Sequence, residues 1–566
     1  MFIHKILLSV AFCLGHVASS PVKHHSTSTS ITAAPSASID AAYTSSLLSS
    51  LWAPLNVSYA DVTTVAEPTP IPSTDLIAPP VMPKLESQYR LPADFLWGLA
   101  GAAFQNEGAV DADGRGPSVW DTLGHLVDGF ITDGTTGDIA DNHYYLYKQD
   151  AQRLKAIGIK TYSLSVSWTR IFPFGNGTVN EAGLNHYIDE VNYLISLGIE
   201  PVVTLFHFDL PQTLQDWYYG FLGEQIVDDY ANYARTVFEA LAPLGVKTWI
   251  TMNEPELACS NLYPRLTEET PAELFARPNL TTNEIIYKCG HNTLLAHAKA
   301  VDILRKEIEP VYGPAKVSYK GAWFYSEPLT NSTDDIRASQ RQNNLAINWF
   351  GHPVWKGDYS DLHKEILGDI LPKFSKEEIA LVKSSVDFYA HDFYNGHYYT
   401  APDEGFDACV ANVSDANWPS CAVSTNIAPG GWPTGPAGGT SHNFNTPQLF
   451  RDALRFINAT YAPNEIIITE FGFPVYHESQ MELGQARYDL DRTIYFQDYL
   501  REILGAYNED KIPIKGAIAW GTMDNLEWNS GLEVKFGLQY VNYTTQERYY
   551  KQSLHYLTQF FDHYIQ

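Results

Sequence analysis

The chain has 566 residues, 45% apolar and 18% charged, too rich in core-forming residues for a disordered protein and long enough for one large domain with appendages. Lys and Arg total 37 against 65 Asp and Glu, and the resulting net charge of −28 repels phosphate backbones and anionic lipid, which argues against nucleic-acid and membrane partners. Aromatics reach 13%, with 13 Trp and 35 Tyr, a supply that suits stacking on ring-shaped ligands as well as filling a large core.

Residues 1–19 carry one Lys, an apolar run from Ile6 to Leu14, then small residues at Ala18 and Ser19. This pattern predicts a cleaved secretory signal, too short to span a bilayer. A secreted product, extracellular or in the cell wall, is expected. Residues 20–85 form a second zone: thirteen of the twenty-five residues in 26–50 are Ser or Thr, and 66–83 is crowded with Pro. Such a stretch is expected to stay disordered, as a flexible stalk through which the protein could associate with a cell wall. A bound N-terminal strand is the competing reading.

From residue 86 to 566 the texture is even. Short apolar runs rich in β-branched and aromatic residues alternate with helical patterns. The runs are FLWGLAGAAF (95–104), KTYSLSVSW (160–168), EPVVTLFHF (200–208), VKTWITMNE (246–254), AKVSYKGAW (315–323), VDFYAHDFY (386–394), EIIITE (465–470) and IKGAIAW (514–520). Between them lie helical stretches such as 143–157, 184–197, 224–242, 285–308 and 485–505. Eight strands alternating with helices predict a (β/α)8 TIM barrel with long βα loops. An open doubly wound sheet is the rival, but no GxGxxG follows the first strand. Four cysteines remain after the signal, and proximity favours the pairs 259–289 and 409–421. Seven N-x-S/T sequons fit an exported glycoprotein. No CxxC or Cys/His ligand spacing appears, so no metal is expected.

In a barrel of this kind reactive groups gather at the C-terminal ends of the strands. The fourth run ends in TMNEP, which brings Asn253 and Glu254 to the rim, and the seventh ends in ITEFG, which brings Glu470 there. Two carboxyls facing each other across a barrel mouth suit cleavage of a glycosidic bond, one as a protonated acid and the other as an ionised nucleophile or base.

The motifs resemble those of glycoside hydrolase family 1, the β-glucosidase family of retaining enzymes. FLWGLAGAAFQNEGA is similar to its N-terminal signature, TLFHFDLPQ to its third-strand segment, and WITMNEP and IITEFG to its two catalytic motifs. WGTMDNLEW followed by KFGLQYVNY resembles its sugar-binding signature. The resemblance implies a (β/α)8 hydrolase of terminal β-glucosides, cellobiose-like or with an aryl or alkyl aglycone, that needs no cofactor. It further implies Glu254 as acid/base, Glu470 as nucleophile and Tyr394 as the residue orienting Glu470. Gln105, His207, Asn253, Glu527 and Trp528 would bind the sugar, with Trp520 as a stacking platform before a cis peptide and Phe536 as an aromatic wall.

The chain departs from the family near the nucleophile. Ser163 stands where the family has an Arg that pairs with the nucleophile, Asp392 where it has Asn, and Phe208 where it has Trp. Losing a cation and gaining a carboxyl should leave a proton shared among Glu254, Glu470 and Asp392. Lys320, on the fifth run, is a candidate replacement cation. The departures also motivate two alternatives: a catalytically weakened sugar- or cell-wall-binding barrel, or a transglycosidase using the same covalent intermediate.

Overall fold

In the computed structural model, residues 45–566 are described, apart from 269, 272, 273 and 276. The expected signal peptide and residues 20–44 lie outside the described residues. Eight parallel strands close a barrel: β1 (Leu96–Ala100), β2 (Thr161–Ser165), β3 (Glu200–Phe206), β4 (Thr248–Asn253), β5 (Lys316–Ala322), β6 (Tyr389–Asp392), β7 (Ile466–Glu470) and β8 (Ile514–Trp520). Each pairs with its neighbours in sequence, and β1 closes the ring against β8 through Leu96 opposite Gly516 to Ala100 opposite Trp520.

Alternation along the strands divides two cores. One face of each strand fills the barrel with Ala100, Val202, Ile250, Phe388, Ala390, Ile467 and Ile518, capped at the mouth by Trp520 and Phe536. The other face packs under the helical ring in a far larger apolar layer that includes Leu99, Val203, Trp249, Val317 and Ile468. The helices expected between strands are present, among them His143–Ala156, Glu181–Ser196, Ile226–Leu241, Thr282–Ile303 and Leu490–Asn508. The Thr282–Ile303 helix begins with a capping box in which Thr281 and Glu284 satisfy each other's backbone N–H groups.

Two small sheets went unread in the sequence. Ser326–Pro328, His397–Thr400 and Val423–Thr425 form one in the βα loops, and Gln539–Asn542 pairs with Glu547–Tyr550 in the other. The disulfides Cys259–Cys289 and Cys409–Cys421 are those expected from proximity.

The disordered reading of residues 20–85 needs correction for its second half. Ser45–Trp52 is a helix whose Leu48 and Trp52, with Leu55, pack on Val110 and Phe174. The Trp52 indole donates to the Arg115 carbonyl at 2.8 Å. The following chain runs along the helix His143–Ala156, held by Ala66 N–H to the Tyr145 carbonyl and by Thr69 N–H to Gln149. It then reaches the far end of the barrel, where Gln552 donates to the Val81 carbonyl and Ser87 N–H donates to the Tyr564 hydroxyl. Composition misled because three apolar side chains at positions 48, 52 and 55 suffice to dock one helix, and Pro-rich chain loses less entropy when it is ordered.

Candidate active site

The carboxyls converge as the strand ends require. One oxygen from each of Glu254, Asp392 and Glu470 lies within 4.8 Å of the others. Glu254 follows β4 in a left-handed conformation (φ 41°), and its N–H donates to the Lys320 carbonyl at 2.9 Å. That turn swings the side chain from the barrel wall toward the mouth. Glu470 ends β7 opposite Asp392 on β6. The Tyr394 hydroxyl donates to one Glu470 oxygen at 2.8 Å, and the Lys320 ammonium contacts the other at 2.6 Å. Lys320 is buried and is the one cation bonded to Glu470 among the described residues.

Charge is unevenly distributed over this cluster. Glu254 is raised well above the usual carboxyl range by burial, then by the nearby Asp392 and Glu470. Asp392 is also raised well above it, by burial and then by Glu470, against the opposing pull of Lys320 and a hydrogen bond from the Thr469 hydroxyl at 2.6 Å. Lys320 is raised: burial disfavours its charge, but Glu470 and Asp392 outweigh that cost. A carboxyl raised by burial, Glu254, facing a lysine-paired Glu470 is an arrangement suited to a general acid opposite a nucleophile.

Around the carboxyls, several buried polar atoms have no partner among the described residues. They include both amide atoms of Asn253, Gln105 Oε1, His207 Nδ1 and Asp392 Oδ2. Orphaned polar atoms at a concave mouth are what a polyhydroxylated ligand would satisfy. Gln105 Nε2 reaches Glu527 at 3.3 Å, and Glu527 is pushed up to about 8 by burial and by Glu470. His207 is held well below its usual range by burial and by Lys320, so it is a neutral imidazole at moderate pH. It lies nearly parallel to Trp520, with ring centroids 5.8 Å apart and planes 21° from each other. Phe536 meets Tyr394 edge-on at 5.6 Å. Trp528 wedges between Trp120 (4.6 Å) and Phe104 (6.2 Å, nearly parallel). The Trp520–Gly521 peptide is cis, as the resemblance implies.

A hollow of about 700 Å³ opens at the opposite, N-terminal end of the barrel, lined by Asp94, Lys160, Glu200, Lys247, Lys316, Glu465 and Lys515 among others. Two of its lysines are paired, Lys316 with Glu465 at 2.5 Å and Lys515 with Asp94 at 3.5 Å. The three converging carboxyls lie at the other end.

The sequence profile of Glycosyl hydrolase family 1 matches residues 87–564. β-Glucosidase 1B of Phanerodontia chrysosporium is 38% identical over 482 residues, 84% of this chain and 86% of that protein. β-Glucosidase 34 of Oryza sativa subsp. japonica is 36% identical over 469 residues, 82% of this chain and 90% of that protein. The fold superposes on a family 1 β-glucosidase from Humicola insolens solved with glucose, with a TM-score of 0.78 and 36% identity, covering 85% of this chain and all of that one. The chain belongs to glycosyl hydrolase family 1.

Within that family frame the departures have definite places. Ser163, buried on β2, stands between Ala100 and Val202, both in the barrel-filling cluster, so it points inward. Phe208, with φ 71°, packs edge-on against Trp528 at 5.1 Å. Asp392 stands opposite Glu470, and Lys320 reaches Glu470 from β5. Two nearby groups escaped the sequence reading. Thr469, next to Glu470 in ITEFG, bonds Asp392. Glu256, two residues after Glu254, is pushed up to about 8 by burial while accepting the Ala322 N–H at 3.3 Å. The second acid in NEPE was the available signal, since Glu256 lies two residues past Glu254.

Proposed function

We propose that this chain is an exported retaining β-glucosidase that removes terminal β-D-glucose from cellobiose-like or aryl and alkyl glucosides. Glu470 attacks the anomeric carbon while protonated Glu254 donates to the departing oxygen. Glu254, now ionised, then takes a proton from the water that releases the sugar. The observation that carries this reading is the separation of the two carboxyls, with oxygens within 4.8 Å. That is close to the roughly 5–5.5 Å of retaining enzymes and short of the about 6.5–9.5 Å of inverting ones, and it favours retention. Asn253 lies beside Glu254 with its whole amide unpartnered, as a reader of the sugar's 2-hydroxyl would. Glu527, raised to about 8, can donate as well as accept toward hydroxyls, a property suited to a neutral hexose.

Export rests on the predicted signal, the sequons and two disulfides, bonds that persist in oxidising compartments. Its test is the protein recovered from a culture medium, with a mobility shift on deglycosylation. The activity is tested on 4-nitrophenyl β-D-glucoside. Glu470→Gln should abolish turnover. Glu254→Gln should spare cleavage of the activated leaving group more than that of cellobiose, and added azide should trap a β-glucosyl azide. Turnover that survives Glu470→Gln would overturn the assignment.

A further inference from the structure

Lys320 touches both halves of the catalytic pair. Its backbone carbonyl accepts the Glu254 N–H at 2.9 Å, and its side chain meets Glu470 at 2.6 Å. The strand register explains how. Lys320 stands opposite Asn253 on β4 and Ala390 on β6, whereas Glu470 stands opposite Asp392, two positions nearer the mouth. Two strand positions span roughly 6.5 Å, within reach of four methylenes and an ammonium. The side chain therefore climbs the interior from one layer below the carboxyls and delivers a charge to a place that β2, with Ser163 facing inward, leaves without one.

The same pocket holds one carboxyl more than the reaction uses. Asp392 is buried, takes one hydrogen bond from Thr469, and leaves its second oxygen without a partner among the described residues. Resting on the function proposed above, we propose that Lys320 and Asp392 work as one unit, in which the ammonium holds Glu470 ionised and oriented while Asp392 carries a proton in place of a second charge. A single buried cation balances a single carboxylate. The ammonium contacts Glu470, whereas Glu254 and Asp392, both raised by burial and by neighbouring carboxyls, keep their protons, which leaves Glu254 ready as an acid. The other titratable groups facing this cluster add no charge at mildly acidic pH: Tyr394 is a phenol raised well above its usual range by burial and by Glu470, His207 is neutral, and Glu256 and Glu527 are raised to about 8. Lys320 is thus a positioning residue whose effect depends on residue 392.

The test is a double-mutant cycle on kcat for 4-nitrophenyl β-D-glucoside across pH, with Tm recorded for every variant. Lys320→Met should lower kcat by about 100-fold and move the acid limb of the pH–rate profile toward neutral, because the nucleophile's anion forms less readily without its cation. In an Asp392→Asn background the same change should cost about 10-fold or less, since one acid fewer competes in the pocket. Lys320→Gln, which keeps a donor but not a charge, serves if the Met variant fails to fold, and should behave like it. Losses of equal size in both backgrounds, or Lys320 variants within threefold of wild type with an unmoved acid limb, overturn the inference. Wild-type turnover that vanishes in Glu470→Gln but survives both Lys320 changes overturns this inference alone. A wild-type chain without turnover overturns both it and the proposed function.

Discussion

At the scale of single residues, the site depends on what each side chain does to the proton of its neighbour. Tyr394 is the neutral member of the Glu470 clamp, its hydroxyl donating at 2.8 Å while its own deprotonation is strongly disfavoured. A hydrogen bond to a charged group contributes about 1.5–3 kcal/mol, so Tyr394→Phe should lower kcat about 10- to 100-fold with little change in Tm. A variant with wild-type kcat would mean that the phenol is a spectator. Gly472 shows a different kind of constraint. A Cβ there would lie 2.1 Å from the Trp520 carbonyl oxygen, so only glycine lets the chain after Glu470 pass this close to Trp520. Gly472→Ala should displace Trp520 and raise KM, a change readable by kinetics and by glucose inhibition.

At the scale of elements, the segment ahead of the family domain joins the support of the sugar pocket. The Ser45–Trp52 helix packs on Val110 and Phe174, and Ser58 N–H donates to Asp138 at 2.7 Å. The loop it clamps carries Phe130 and Asp133, which hold the 528–532 loop: Thr132 N–H donates to the Asn529 carbonyl and Leu532 N–H to Asp133. Trp528 sits on that loop, so contacts run from the docked segment toward Trp528, which lies against His207 at the mouth. Trp52→Ala should cost about 3–5 kcal/mol, read as a fall in Tm, and should raise KM more than it lowers kcat. A Tm equal to wild type would show that the segment does not dock in solution.

At the scale of the whole molecule, burial of proton-holding groups sets the dependence of stability on pH. Glu256 is raised to about 8, chiefly by burial, and His143 to about 10, because hydrogen bonds to Asp150 and Glu190 outweigh the burial that opposes its charge. Above about pH 6.5 an unfolded chain has released both protons whereas the folded chain keeps them. Protons bound in excess by the native state mean that stability falls as pH rises, by at most about 1.4 kcal/mol per pH unit for each such group. Buried histidines held near 3, such as His297 and His391, act in the opposite sense, but only below about 6.5. Tm should therefore decline between pH 6.5 and 8, and Glu256→Gln should flatten the decline. A Tm that rises across this window would contradict the burial of these protons.

Much of this was legible in the linear chain because it is local. Period-two runs ending in NEP and TEFG mark strands whose last side chains meet at a barrel mouth, and spacing alone predicted both disulfide pairs. Eight such runs separated by helical patterns admit few closed arrangements. The resemblance also marked Ser163 and Asp392 as departures from the family's motifs. Tertiary structure decided the rest. Whether Lys320 points into the barrel depends on strand register, which places residues 150 apart in sequence within 2.6 Å of each other. The folded strands also decide that the Trp323 ring packs with His391 and Phe456 in the outer core. Whether a Ser/Thr- and Pro-rich segment docks depends on a few apolar contacts with surfaces that exist only once the barrel has closed. Composition and period report what a residue prefers on its own; register, burial and the fields of distant charges arise only when the chain is folded.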